Sequence, residues 1–427
     1  MVGVVEAAGL AIVGGCTTQA VMSLYGTFQR RVRESNVAAR EAQLFQQRAQ
    51  LLLQSDRVDR ERSELSWNGN RKFYIDRKVE EAKDICSFYL RPHDHKPLAP
   101  FLPGQYLTFQ LKIPDQAKPL VRCYSLSDSP ANRDHYRVTI KRLDPPPKEP
   151  EAPPGRSSNF FHKGLVEGDI LDVRAPSGHF YLDQATEKPV VLIGGGVGLT
   201  PVWSMLNAIC DSGSRRETWF FYGIMNRNDH AMYDRMAEVR RTYDNVRIVV
   251  CYSRPTESCV KGRDFDQEGY VSVALFKKLL PSNNYEFYIC GPPPMMQAVT
   301  SDLKEWGVPD SDVKFEAFGP ATIKRKSPPK PAQDVATAAA AGDGIEVVFE
   351  RSGKTLHWKP DYGSLLEFAE ANDISIDSGC RAGNCGTCVT AIKEGEVSYL
   401  SEPGAQPDEG SCLTCIAVPS GRLILDS

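Results

Sequence analysis

Residues 380–388 read CRAGNCGTC, and residues 411–415 read SCLTC. Thiolates are soft ligands for zinc and for iron–sulfur clusters, and paired thiols can instead form disulfides. Cys380, Cys385, Cys388, Cys412 and Cys415 crowd the C-terminal end, while Cys16, Cys86, Cys123, Cys210, Cys251, Cys259 and Cys290 are scattered. Twelve cysteines in 427 residues is well below the density of a disulfide scaffold. Local clustering among glycines therefore favours ligation over bridging.

The spacing narrows the ligand. Cys380 to Cys385 is C-x4-C and Cys385 to Cys388 is C-x2-C, and one further cysteine completes the plant-type [2Fe–2S] pattern. Such a loop must aim thiolates and backbone N–H groups at a small anionic cluster. Gly379, Gly383 and Gly386 let the backbone come close and take φ > 0. The alternatives are a zinc site and reduced structural thiols. Zinc usually uses paired C-x2-C knuckles, and only one C-x2-C precedes the distant SCLTC. The fourth ligand is Cys412 or Cys415.

A one-electron centre needs an electron source. Residues 189–201 read PVVLIGGGVGLTP, an apolar run of strand length ending in a glycine-rich turn. Pro201 then opens an amphipathic segment, VWSMLNAIC. A strand, a glycine turn and a helix N-terminus form an anion site, because backbone N–H groups and the helix dipole face a phosphate there. The spacing is not a strict G-x-G-x-x-G, so a plain tight turn is the alternative. ETWFFYGI, NVRIVVCYS and NYEFYICG read as further strands with helices between, which predicts a parallel α/β sheet.

Four segments together carry a resemblance: RCYSLSDSP (122–130), GGGVGLTP (194–201), CGPPPMM (290–296) and EAFGPA (316–321). Their order is similar to that of the ferredoxin–NADP reductase superfamily, and most like the flavin- and iron–sulfur-containing reductases of oxygenase systems. The likeness covers about residues 67–322. The C-terminal segment resembles plant-type ferredoxins, where the last ligand sits in a sequence much like LTCIAVP. That resemblance selects Cys415 and leaves Cys412 as a spare thiol.

What the superfamily implies is carried residue by residue. Arg122 would pair with a flavin phosphate through its planar fork. Tyr124 would stack on or beside the ring system, and Ser125 would hydrogen-bond near the flavin N5. VTIKR (138–142), with Lys141, resembles a second flavin-contact segment. GRSSNFFH (155–162) resembles a pyrophosphate loop, with Ser158 and Asn159 as phosphate contacts; a mere helix cap is the alternative. Gly194, Gly195, Gly196, Gly198 and Thr200 would cradle the nicotinamide dinucleotide. Cys290 and Gly291 would sit where nicotinamide meets flavin, although a cysteine at a strand end is usually just packed. Phe318 would cover the flavin face; the alternative is a buried core phenylalanine. Ser253 and Arg254, with Lys261 and Arg263 nearby, resemble a 2′-phosphate site, yet NADH-using relatives carry similar segments. NADH or NADPH is therefore expected, with FAD rather than FMN.

The chemistry follows from these cofactors. Nicotinamide gives two electrons at once as hydride, a [2Fe–2S] cluster takes one, and flavin converts between them. No acid–base triad is required, and the sequence shows none.

These residues need positioning elements. The expected architecture is α+β and α/β multidomain. Residues 67–186 form an antiparallel FAD-binding β-barrel, and residues 187–322 a parallel α/β NAD(P)H-binding domain. IEVVFE and KTLHW read as a hairpin, SLLEFAEAND as a short helix and LILDS as a closing strand, which makes 343–427 a β-grasp ferredoxin domain. Residues 323–342 form a basic, Pro- and Ala-rich linker. LDPPPKEPEAPP (143–154) reads as an exposed polyproline-like excursion, because prolines lack the donor a strand interior needs.

The N-terminus matches neither family. Residues 7–28 carry no charge over about twenty positions, enough to span a bilayer. Arg30, Arg31 and Arg33 follow, which predicts a membrane anchor helix in residues 1–28 with a cytoplasmic catalytic body. In residues 29–66, Val37, Leu44, Leu51, Val58 and Leu65 recur every seven positions, as in a charged helical stalk. Net charge is −3, which argues against a nucleic-acid partner.

The sequence therefore points to an NAD(P)H:acceptor oxidoreductase feeding an oxygenase or similar redox protein. The alternative is a respiratory NADH:quinone reductase-type subunit, whose ferredoxin domain precedes its flavin domain, the reverse of the order here. A redox-responsive interaction protein is a third reading. A flavohaemoglobin-like NO dioxygenase shares the reductase motifs, but residues 29–66 are too short for a globin.

Overall fold

The computed structural model describes residues 57–114, 116, 119–145, 150–151, 153–318, 344–379, 381, 383, 386–400, 403 and 407–427, with Gly3, Gln19, Met22 and Arg31 as isolated positions. The expected linker, most of the expected anchor and stalk, Cys380 and Cys385 lie outside these residues. Met1–Glu61 form one unit and Arg62–Ser427 another. Residues 57–65 are helical, and no helix among the described residues is long and apolar enough to cross a membrane.

Six strands build the first sheet: β1 (Arg71–Ala82), β2 (Ile85–Pro92), β3 (Tyr106–Leu111), β4 (Leu120–Ser125), β5 (Tyr136–Lys141) and β6 (Ile170–Ser177). Their order is β4-β3-β6-β1-β2-β5, and every pairing is antiparallel. A bridge from Leu126 to Val138 joins the end of β4 to β5, so the two edge strands meet at one end and the sheet curls into a barrel. Alternate side chains fill its interior, among them Phe73, Ile75, Phe88, Leu90, Phe109 and Val138, and Phe161 joins them from the helical segment between β5 and β6. Each contributes about 1.5–3 kcal/mol of burial.

The second sheet is parallel throughout. Its strands are β7 (Val190–Gly195), β8 (Thr218–Ile224), β9 (Val246–Tyr252), β10 (Gln267–Glu268), β11 (Glu286–Cys290) and β12 (Val313–Glu316), in the order β10-β9-β8-β7-β11-β12. Successive residues feed opposite cores: Leu192, Phe220 and Val250 one face, Ile193, Phe221 and Val249 the other. Burial on both faces is why these strands read as continuous apolar runs. The helix after β7 runs Leu199–Asp211, two residues earlier than Pro201 suggested, and is buried on nearly all sides rather than on one. It packs on the sheet, and its Ser204 hydroxyl donates to the Asp128 carbonyl of the barrel at 2.7 Å.

The third domain has β13 (Ile345–Phe349), β14 (Lys354–Trp358), β15 (Val389–Glu394), β16 (Val397–Tyr399), β17 (Ser411–Leu413), β18 (Ala417–Pro419) and β19 (Leu423–Leu425). A mixed five-stranded sheet runs β14-β13-β19-β15-β17, with β16 and β18 paired beside it. Its helix, Leu365–Ala371, starts with a capping box: the Ser364 hydroxyl accepts from the Glu367 N–H, and the Glu367 carboxylate accepts from the Ser364 N–H.

Candidate redox site

Strand β7 lies at the point where the second sheet's order reverses, with β8 on one side and β11 on the other. Open α/β sheets bind ligands at the carboxyl ends of the strands at such a point. There β7 ends in Gly194–Gly195, and Gly196–Gly198 make a single turn into the helix Leu199–Asp211. Gly196 has φ +55°, which a side chain rarely adopts. A Cβ on Gly198 would lie 2.6 Å from the Gly291 Cα and run into the Cys290 carbonyl. The turn thus seats directly on Cys290–Gly291, and only glycine permits it. Thr200 turns its hydroxyl back to the Val197 carbonyl at 3.1 Å.

Cys290, the last residue of β11, pairs with Gly194 on one side and with Glu316 on the other. Both side chains are buried. Burial first, then the Glu316 charge, pushes the Cys290 thiol well above its ordinary range, so it stays neutral. Burial pushes the Glu316 carboxyl up to about 8, and its Oε2 is buried with no partner. An orphan acceptor beside a neutral thiol is what a polar cofactor edge would satisfy. Two residues on, Phe318 is 39 % exposed, so it is no core phenylalanine and its ring is available as a cover. Glu316 is the functional candidate that motif reading passed over; its signal is being the last residue of a buried strand.

On the flavin side, β4 is hydrogen-bonded to β3 along its length and meets β5 only beyond its end, at Leu126. Its outer edge is therefore a row of backbone groups facing the gap between the two edge strands. Arg122, Tyr124 and Ser125 all stand on this strand. Tyr124 packs edge-on against Phe109 and Phe161, and its hydroxyl lies 2.7 Å from the Ser157 Oγ. Burial pushes the Tyr124 phenol up to about 12. Ser157, not singled out from sequence, is the residue of the Gly155–His162 segment whose hydroxyl reaches Tyr124 of the flavin strand, where Phe161 of the same segment also packs. The Ser158 hydroxyl instead donates to the Gly155 carbonyl and accepts from the Leu143 N–H, and Asn159 donates to the Leu143 and Gly155 carbonyls. Both close the base of the proline-rich excursion. Lys141 pairs with Asp229 of the nicotinamide domain at 3.0 Å. Arg122 is half-buried, and its guanidinium pKa is lowered first by burial and then by the Arg381 charge from the cysteine loop.

In that loop, Cys388 and Cys415 are both buried and share one small core with Leu366, Leu413 and Ile416. The Gly383 N–H donates to the Cys415 Sγ at 3.3 Å, and Gly383 has φ +74°. Cys412 belongs to the other core, among Val347, Phe368 and Leu425, and burial pushes its thiol up to about 12. Strand alternation in β17 turns Cys412 away from the loop, whereas Cys415 lies beyond the strand end. The described half of the ligand set fits an anionic cluster: two buried sulfurs, one already accepting from a backbone N–H.

Ser253 and Arg254 extend β9 by donating to the Ile224 and Met225 carbonyls at 2.9 Å each. Arg254 is exposed. Arg263 is held by Asp264 at 2.9 Å.

Comparison with known proteins matches these three parts. Residues 72–181 match the oxidoreductase FAD-binding domain, 192–301 the oxidoreductase NAD-binding domain, and 347–420 the 2Fe-2S iron-sulfur cluster binding domain. The chain is also similar to phthalate dioxygenase reductase, with TM-score 0.52 and 26 % identity over 84 % of this chain and 98 % of that one. Together these matches support a ferredoxin–NADP reductase-family reductase with a C-terminal [2Fe–2S] domain. The cofactors of this reductase are FAD, NAD(H) and a [2Fe–2S] cluster, and its domains are those of an NAD(P)H-dependent flavin oxidoreductase.

Among curated relatives, the flavohemoproteins of Halalkalibacterium halodurans and Bacillus cereus are each 40 % identical over 60 % of the reductase. The matched segment spans 61 % and 62 % of those relatives' own lengths. The FAD/NAD-binding domain of the Vibrio cholerae nitric oxide dioxygenase covers 59 % of this chain, with TM-score 0.52 and 27 % identity.

Proposed function

We propose that the protein draws a hydride from NAD(P)H and delivers single electrons, through FAD and the [2Fe–2S] cluster, to a partner oxygenase. The observation that carries this is the joining of three cofactor domains in one chain, with Cys290, Glu316 and the glycine turn at one sheet edge. When bound, flavin supplies the exchange between two-electron and one-electron transfer. The chain's own residues do the rest. Gly194–Gly198 and the following helix N-terminus bind the dinucleotide phosphates. Cys290 and Gly291 leave the nicotinamide ring room, and Phe318 covers the flavin face from solvent. Arg122 and Tyr124 orient the flavin on β4, and Cys380, Cys385, Cys388 and Cys415 hold the cluster.

A partner oxygenase is favoured by the near full-length likeness to phthalate dioxygenase reductase. A haem protein acting in trans is the second reading, favoured by the flavohemoprotein relatives. For residues 1–28 a membrane anchor, with cytoplasmic catalytic domains, is supported by sequence alone; partition of the full chain between membrane and soluble fractions tests it.

Anaerobic titration of the purified protein with NADH and, separately, NADPH tests the main reading. The expected result is flavin bleaching followed by a rhombic [2Fe–2S] EPR signal. Bleaching with no cluster signal, in protein shown to contain iron, would sink it.

A further inference from the structure

Besides the Ser204–Asp128 contact, the flavin and nicotinamide domains are joined by a two-point clamp. Lys141 ends β5, and its Nζ lies 3.0 Å from the Asp229 Oδ1. The next residue, Arg142, holds the β1–β2 turn: its N–H donates to the Asp84 carbonyl at 2.7 Å, and its guanidinium pairs with the Asp84 carboxylate. That turn in its place donates the Lys83 N–H to the Asn228 carbonyl at 2.9 Å. Ala82 and Ile85, flanking it, pack on the core of the nicotinamide domain. Lys141, the last residue of β5, thus pairs with Asp229 of the turn Arg227–Asp229, while Arg142, just beyond the strand, holds the β1–β2 turn whose Lys83 bonds the neighbouring Asn228.

The position of that turn gives the clamp its meaning. It follows β8 at the ligand-binding edge, and the β8 end accepts from the N–H groups of Ser253 and Arg254. β5 also lies against the glycine turn Gly196–Gly198. One side of the clamp is thus the strand following the flavin motif, and the other is the rim that receives the dinucleotide. The side chains of Lys141 and Asp229 are 34 % and 22 % exposed, and ion pairs so placed add little to stability. Their direction is specific, however, and the pair sits at the nucleotide-binding rim, whereas other side-chain hydrogen bonds of the seam, from Ser204 to Asp128 and from Arg216 to Asp183, lie on other elements.

We propose that Lys141 and Asp229 are positioning residues: their ion pair sets the nucleotide-binding rim against the flavin strand and so sets the nicotinamide-to-flavin approach. This rests on the hydride-transfer reading above. Reacting atoms must come within roughly 3–3.5 Å, and a misplacement of about 1 Å costs up to about a hundredfold in rate.

The test uses full-length holoprotein and stopped-flow flavin bleaching, which separates the limiting rate from the apparent nucleotide affinity. Lys141→Met and Asp229→Asn are each expected to lower the limiting rate about tenfold, with flavin content and flavin midpoint potential unchanged. The swap Lys141→Asp with Asp229→Lys is expected to restore it to within about threefold. Limiting rates within about twofold of wild type in both single variants would overturn the clamp. So would loss of flavin from Lys141→Met, which would make Lys141 a flavin ligand, or failure of a folded, flavin-loaded swap to recover. No bleaching of the wild type by either nucleotide would overturn the functional reading itself, and this inference with it.

Discussion

Glu316 is a carboxyl that the fold keeps against its chemistry. It closes a buried strand beside a neutral thiol, with one oxygen unpartnered. Its folded value, about 8, lies above the ordinary 4.5 of the free group. Below about 4.5 both folded and unfolded chains hold the proton, and the group costs nothing. Between about 4.5 and 8 the unfolded chain releases the proton first, so stability falls as pH rises through that window. Above it the whole penalty stands, on the order of a few kcal/mol. Glu316→Gln is expected to remove this slope. Melting temperatures of wild type and variant should converge near pH 4.5 and separate toward pH 8.5, the variant being higher. Parallel curves across that range would mean that Glu316 is already satisfied or solvated. Nothing around an isolated EAFGP in the sequence shows that pressure, because it arises from β11 and β12 lying side by side.

At the scale of elements, the glycine turn does the most positioning. A methyl on Gly198 would meet backbone of Cys290 and Gly291, which cannot swing aside as a side-chain tip can. Gly198→Ala is therefore expected to cost about 1–3 kcal/mol of stability, read by urea unfolding, and to weaken nicotinamide-driven bleaching. Gly196→Ala, where a Cβ meets nothing but φ is +55°, should cost less. If both cost the same, the Cys290 contact is not what requires glycine. The turn, the parallel strands and the ferredoxin hairpin were legible in the sequence because each is local: an apolar run, a cluster of glycines, a period of two. The helix after the turn was legible only as amphipathic, since its second buried side faces another domain. Ser158 and Asn159 looked like phosphate contacts because hydroxyl and amide groups at a helix start are ambiguous. The structure spends them on Leu143 and Gly155 and sends Ser157 to Tyr124. Lys141 was unreadable for the same reason, its partner being 88 residues away.

At the scale of the whole molecule, the proposed function gives one chain a two-electron entrance and a one-electron exit, and the two can be separated by single atoms of sulfur. Cys388 and Cys415 share one core beneath the cysteine loop, while Cys412, only three residues from Cys415, points into another. Spacing alone left Cys412 and Cys415 open, since both lie in SCLTC; strand alternation in β17 separates them. Replacing Cys388 or Cys415 by Ser is expected to abolish the [2Fe–2S] EPR signal. It should also stop reduction of a one-electron acceptor such as cytochrome c, while NAD(P)H still bleaches the flavin at the wild-type rate. Cys412→Ser should keep both signal and acceptor reduction and lose only packing, about 0.5–3 kcal/mol on unfolding. An intact signal in Cys415→Ser with loss in Cys412→Ser would reverse the ligand assignment. Acceptor reduction that survives loss of the cluster would mean that electrons leave directly from the flavin, and the C-terminal domain would then need another role.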